Sequence, residues 1–197
     1  MQKLVLDDLW SLETYAKRRL TFRAQAIAHK QARTLALGEH VTLLFEDAIT
    51  VRYQIQEMLR IERTFEEEGI RAELEAYNPL IPDGSNLKAT MLIEYEDVDV
   101  RRIELAKLIG VEDRVWLRAD GFENVFAIAD EDMPRENADK TSAVHFLRFE
   151  FSAEMIAALK RGACLDGGVD HPAYRVSARV STSLRDQLTG DFALLAA

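Results

Sequence analysis

Ala143-Val144-His145-Phe146-Leu147-Arg148-Phe149-Glu150-Phe151 is the stretch on which the fold turns. His145, Leu147, Phe149 and Phe151 fall on one side, the two-residue period of a strand that buries one face. Ser152 follows as a helix cap, and Ala153 to Arg161 reads as a helix ended by Gly162. A one-faced strand leading straight into a capped helix belongs to an antiparallel sheet that helices cover. Beyond it, Tyr174 to Val180 alternates again, and the tail from Ser183 reads as helical.

Working back from residue 143, Arg114 to Ala119 and Glu123 to Ala129 form a hairpin turned at Asp120-Gly121. Asp97 to Ile109 is a helix closed by Gly110, and Leu87 to Tyr95 is a strand with Ala89, Met91, Ile93 and Tyr95 on one face. Before that strand, Asn78 to Asn86 holds two prolines and an Asp-Gly turn, which make a defined loop. Arg71 to Tyr77 is a short helix. Asp47 to about Glu67 is a longer one, ended by Gly69, with Val51, Ile55, Met58, Leu59 and Phe65 as its apolar stripe. Thr34 to Leu37 and His40 to Phe45 read as a hairpin turned at Gly38. Two helices come first, Asp7 to Tyr15 and then Thr21, as an N-cap, to Gln31. The expectation is one α+β domain over residues 1–197: N-terminal helices and a β-hairpin, then a mostly antiparallel sheet with helices packed on one face.

The 197 residues are 48% hydrophobic and 30% charged, the balance of a globular chain with a substantial core. The formal net charge of −9 disfavours phosphate backbones, so nucleic acid is not the expected partner. The densest basic cluster, Lys17, Arg18, Arg19 and Arg23, lacks interleaved aromatics positioned to stack bases and reads as a solvated helix face. The single cysteine, Cys164, allows no internal disulfide and fits a reducing, cytoplasmic setting. No signal pattern opens the chain, and no apolar run approaches a membrane span.

Glycine-rich phosphate loops, paired-cysteine metal sites, His-Glu-x-x-His and Gly-x-Ser-x-Gly are all absent from the sequence. Asp130, Glu131, Asp132, Glu136 and Asp139 form an acidic segment that offers oxygen ligands to a hard cation but lacks the calcium-loop pattern; it reads as solvated, and no metal is assigned. Cys164 reads as a small hydrophobe, and His145, on the apolar face of its strand, as a satisfied core residue. Asp170-His171-Pro172 reads as a turn in which a carboxylate precedes an imidazole and could hold its tautomer. The most suggestive feature is the helix from Asp47. Arg52, Tyr53, Gln54, Glu57 and Arg60 set polar groups beside its stripe, with Glu57 and Arg60 one turn apart.

Several segments together carry a resemblance: His40-Val41-Thr42-Leu43-Leu44-Phe45-Glu46, Gln54-Ile55-Gln56-Glu57-Met58-Leu59-Arg60, Asn78-Pro79-Leu80-Ile81-Pro82-Asp83-Gly84, Lys140 to Phe149, and Asp170 to Tyr174. The chain resembles an uncharacterised bacterial family of about this length, known only as a domain of unknown function, over nearly its whole extent. The resemblance implies a setting, because members are often encoded beside rubrerythrin and a heterodisulfide-reductase-like iron–sulfur protein. It supplies no catalytic residues and no cofactor. With one cysteine, this chain cannot hold a four-thiolate cluster by itself.

Two readings follow. The first is an accessory or interaction protein of a rubrerythrin and iron–sulfur redox system, recognising a basic patch through its acidic charge. The second is a small-molecule enzyme or ligand carrier. Its site would lie between the 47–67 helix, the Pro79–Asn86 loop and the 143–151 strand. Glu57 would be the base, Arg52 or Arg60 the anion clamp, and His145 or His171 would complete the acid–base pair, with Gln54 alongside.

Overall fold

The two helices expected at Asp7–Tyr15 and Thr21–Gln31 are a single helix that starts after Ser11. The computed structural model describes residues 2–131 and 139–193. After a single 3-10 turn at Leu6–Asp8, the Ser11 hydroxyl accepts the Thr14 N–H, and α1 runs unbroken over Leu12–Ala32. Tyr15, Phe22 and Ala26 are its buried residues, at spacings of whole turns, so one packed face carries the helix through the threonine expected to begin a second helix. The hairpin follows as β1 (Thr34–Leu37) and β2 (Val41–Phe45). Its turn needs Gly38 for two reasons: φ is +75°, and an added Cβ would lie 2.5 Å from the Tyr174 hydroxyl.

Asp47 caps α2 (Ala48–Glu62) by accepting the Ile49 and Thr50 N–H groups. The helix ends sooner than expected. Arg63 adopts a left-handed conformation with φ 57°, and Phe65 is 68% exposed rather than part of the stripe. Gly69 falls inside α3 (Glu67–Tyr77), which runs into a 3-10 turn at Asn78–Leu80. Then come β3 (Asn86–Ile93) and α4 (Val98–Lys107). They are followed by β4 (Val115–Ala119), β5 (Val125–Phe126), β6 (Ile128–Ala129) and β7 (Val144–Glu150). The remaining elements are α5 (Ala153–Lys160), β8 (Leu165–His171), β9 (Tyr174–Arg179) and α6 (Thr182–Thr189).

This is an α+β fold with every strand pairing antiparallel, and the strands divide between two sheets, ordered β1-β2-β3-β7-β6 and β5-β4-β8-β9. The expected hairpin at Asp120-Gly121 is half right. β5 pairs with β4, but β6 crosses to β7 in the other sheet, the switch falling at Ala127, whose N–H donates to Val115 O at 2.8 Å. At the opposite corner Tyr174 of β9 donates its hydroxyl to Leu37 O at 2.6 Å and accepts the His40 N–H at 3.2 Å. The inner faces of the two sheets share one core, in which Leu43, Met91, Leu147 and Phe149 meet Leu117, Leu165 and Val169. Residues of α4, α5 and α6 join that core. The helices α2 and α3 hold a separate apolar cluster around Val51, Ile55, Leu59 and Leu74.

The strand β8 was not expected. Gly167 and Gly168 lower its strand propensity, yet packing demands them, since a Cβ on Gly168 would lie 2.5 Å from Trp116 Cζ2 and from Val176 O. One polar clamp spans most of the chain. Arg33, 3% exposed, donates to Phe45 O at 3.1 Å and Glu46 O at 3.3 Å, and pairs with Asp191 and with Asp47. No helix among the described residues is long and apolar enough to cross a membrane.

Candidate functional site

The residues singled out on α2 part company. Glu57 turns toward α1, where it accepts the Tyr15 hydroxyl at 2.6 Å and both Arg19 Nε (2.7 Å) and Arg19 Nη2 (2.9 Å). Arg60 adds a fourth contact at 3.2 Å. The Arg19 guanidinium, then the Tyr15 and Arg60 bonds, hold the Glu57 carboxyl at about 2, against the opposition of burial. A carboxylate so engaged is a poor proton acceptor near neutrality, and it keeps Arg19 and Arg60 for itself. Gln54 is half-buried and outside this network. Arg52 goes elsewhere, lying over the Trp10 indole with its guanidinium carbon 4.2 Å from the ring centroid.

His145 points into the core between the sheets and is fully buried. Its Nδ1 faces Asp130 Oδ2 at 2.6 Å, and its Nε2 faces Ser142 O at 3.0 Å and Thr141 Oγ1 at 2.9 Å. Glu112 Oε2 lies 3.8 Å from Nε2. Glu112, Asp130 and His145 offer ligand atoms within 4.8 Å of one another. The two carboxylates, however, approach opposite nitrogens of the ring, and both nitrogens face hydrogen-bond acceptors. That geometry suits a ring hydrogen-bonded on both sides in a buried network better than a compact ion shell. Asp130 holds φ 46° to reach this position. In the acidic segment, then, Asp130 meets His145 and Glu131 pairs with Arg148 at 2.7 Å. Asp139 is exposed, while Asp132 and Glu136 lie outside the described residues.

His171 ends β8, and Pro172-Ala173 make the turn to β9. Its Nδ1 accepts the Ala173 N–H at 3.2 Å and its Nε2 faces Ile109 O at 3.2 Å, which fixes the Nε2–H tautomer. The preceding Asp170 does not hold this ring, because strand alternation turns it outward to pair with Arg175 at 3.0 Å. Glu57 and Arg60 meet each other. Neither histidine joins them, since β7 turns His145 toward the second sheet and presents Phe146 and Arg148 on its opposite face.

On that opposite face the chain does form a groove, of about 320 Å³. Tyr77, Pro79 and Leu80 make one wall, and Lys88, Ile128, Glu131, Phe146 and Arg148 make the other. It adjoins the Pro79–Asn86 loop and the 143–151 strand, and the end of α3 borders it where the sequence predicts the 47–67 helix. Arg148 is committed to Glu131 and Glu150. Lys88 donates to Pro79 O, and burial pushes its ammonium below the ordinary range, assisted by the nearby Arg148 and opposed by Asp83. Alternation along β3 puts Lys88 on the face opposite Leu87, Ala89 and Met91. That was the one available signal for this residue, since a lysine on a strand otherwise reads as solvated.

A family model described as "Protein of unknown function (DUF3501)" matches residues 3–192. Among solved structures, the chain is similar to a protein described as a novel protein of unknown function from Burkholderia pseudomallei. The identity is 55% over 98% of this chain and 100% of that one, and the TM-score is 0.93. No curated protein matches.

Proposed function

Because the chain belongs to the DUF3501 family, which brings no activity with it, we propose a function from the groove itself: binding of a small, mainly apolar molecule that carries one anionic group. The carrying observation is Lys88 on the wall of an apolar groove, with a backbone carbonyl as its hydrogen-bond partner. The volume falls at the lower end of small-molecule sites, which combine apolar walls with a few polar groups that orient the ligand. An anionic end would meet the ammonium that burial disfavours, while Tyr77, Leu80, Ile128 and Phe146 cover the remainder. The role is that of a carrier or receptor. Glu57, the base expected from the sequence, is spent on Tyr15 and Arg19.

Calorimetric titration with aryl and medium-chain carboxylates tests this reading. Saturable binding is expected, weakened about tenfold or more in Lys88→Met, the loss of one charge-assisted contact. Binding should fade as rising pH deprotonates Lys88. Absence of saturable binding across both ligand classes, or a Lys88→Met variant that binds like the parent, overturns it.

A second reading keeps the accessory role in a rubrerythrin and iron–sulfur redox system, in the reducing cytoplasm that one unpaired cysteine suits. It is supported by the family resemblance and by the cysteine count, which leaves any cluster to a partner. The net charge of −9 favours a partner with a basic patch. Normal peroxide tolerance in a deletion strain, together with failure to capture either neighbour, would sink it.

A further inference from the structure

A different feature lies where α1 meets α2. Trp10 precedes the Ser11 cap, and its backbone is held at both ends by one wholly buried side chain. Gln56 Oε1 accepts the Trp10 N–H at 2.8 Å, and Gln56 Nε2 donates to Trp10 O at 3.3 Å. The indole is thereby fixed against α1 and α2, edge-on to Phe22 with 5.0 Å between centroids. Two guanidiniums lie over this ring, Arg52 at 4.2 Å and Arg18 at 5.2 Å.

Several arginines nearby are taken up in ion pairs. Arg19 and Arg60 share Glu57, Arg33 has Asp47 and Asp191, and Arg71 has Glu67. Neither Arg18 nor Arg52 forms an ion pair among the described residues, and Arg52 Nε is buried without an acceptor. Burial and the nearby Arg18 both disfavour the charge on Arg52, against the attraction of Asp8. The Asp8 carboxylate accepts the Val5 N–H at 2.8 Å. Arg23 and Arg63 likewise form no ion pair among the described residues; what sets Arg18 and Arg52 apart is that both guanidiniums lie over one indole. Trp10 supplies a stacking aromatic to Arg18 of the basic cluster on α1, and the second cation comes from α2.

We infer that Arg18 and Arg52, seated on Trp10, form a binding site for a phosphoryl group. Two guanidiniums from different helices call for an anion with several outward oxygens and more than one negative charge. A phosphate monoester offers three such oxygens, a carboxylate only two and a single charge. The indole fixes the direction of both arginines, so less side-chain freedom is lost on binding. This site shares no residue with the groove beside Lys88.

The test is calorimetric titration of the full chain with inorganic phosphate, phenyl phosphate and benzoate at matched ionic strength, with indole emission recorded in parallel. Saturable binding of inorganic or phenyl phosphate is expected, with a change in emission as the arginines shift on Trp10. A stronger response to phenyl phosphate identifies an organic monoester as the ligand class; equal responses identify the free ion. Arg52→Met should weaken binding about tenfold or more. Arg18→Met, on an exposed residue whose replacement spares the fold, should weaken it several-fold. Three results overturn the inference: no saturable binding of either phosphate, benzoate binding as tightly as phenyl phosphate, or Arg18→Met binding like the parent. The first would leave the two arginines as props for Trp10.

Discussion

Glu57→Gln isolates the contribution of the most heavily bonded carboxylate in the helical layer. The substitution keeps the shape, leaves Tyr15 a weaker neutral acceptor and deprives Arg19 of its bidentate partner. A carboxyl held at about 2 rather than 4.5 corresponds at full value to about 3 kcal/mol of stability near neutrality. Arg19 is 30% and Arg60 40% exposed, so water screens the pairs and about 1–2 kcal/mol is the expected loss. For a chain of this size that is a fall in Tm of roughly 2–8 °C. The sign of the pH dependence is fixed. A depressed carboxyl contributes fully above its unfolded value of 4.5, and the contribution disappears as pH falls toward 2. Urea midpoints of parent and variant should therefore differ at neutral pH and converge in acid. Equal stability at neutral pH, or a deficit of constant size down to about pH 3, would refute the reasoning.

Two further substitutions probe the sheets. Gly168→Ala should cost about 1–3 kcal/mol by denaturant unfolding, because the new methyl meets the Trp116 ring and the Val176 carbonyl at 2.5 Å; a neutral result would mean that the indole moves freely aside. His145→Leu sets an apolar side chain against Asp130, Thr141 and Glu112 and should cost about 3 kcal/mol. A loss below about 1 kcal/mol would show that the network holds without its ring.

The alternation of His145, Leu147, Phe149 and Phe151 was legible because one buried face imposes a period of two, and the structure buries all four. The helix cap at Ser152 was legible for an equally local reason. What escaped reading depends on distant neighbours. Gly167 and Gly168 look like a loop until Leu35 and Trp116 are seen against them. The split between β5 and β6 depends on which sheet each half meets, and no residue in Val125 to Ala129 announces it. For the candidate sites, the sequence placed a site beside the Pro79–Asn86 loop and on the His145 face of the 143–151 strand, whereas the proposed groove lies on the Phe146 and Arg148 face. It also named Arg52 as an anion clamp without the Trp10 that orients it. Pairing of Glu57 with Arg60 was visible one turn apart; Arg19 and Tyr15, about 40 positions earlier, were not.

The clamp between Arg33 and Asp191 has a consequence for the order in which the chain can be finished. Its partners are separated by 158 positions. While the polypeptide emerges from the ribosome, α1, β1, β2 and α2 are made first. Arg33 then has the Phe45 and Glu46 carbonyls and Asp47, but not the second carboxylate that closes its shell. A strongly desolvated guanidinium does not settle cheaply without that countercharge. The N-terminal third should thus stay loose until Asp191 has been made and has left the tunnel, and nascent chains halted before Asp191 should remain open to protease at the junction of α1 and β1.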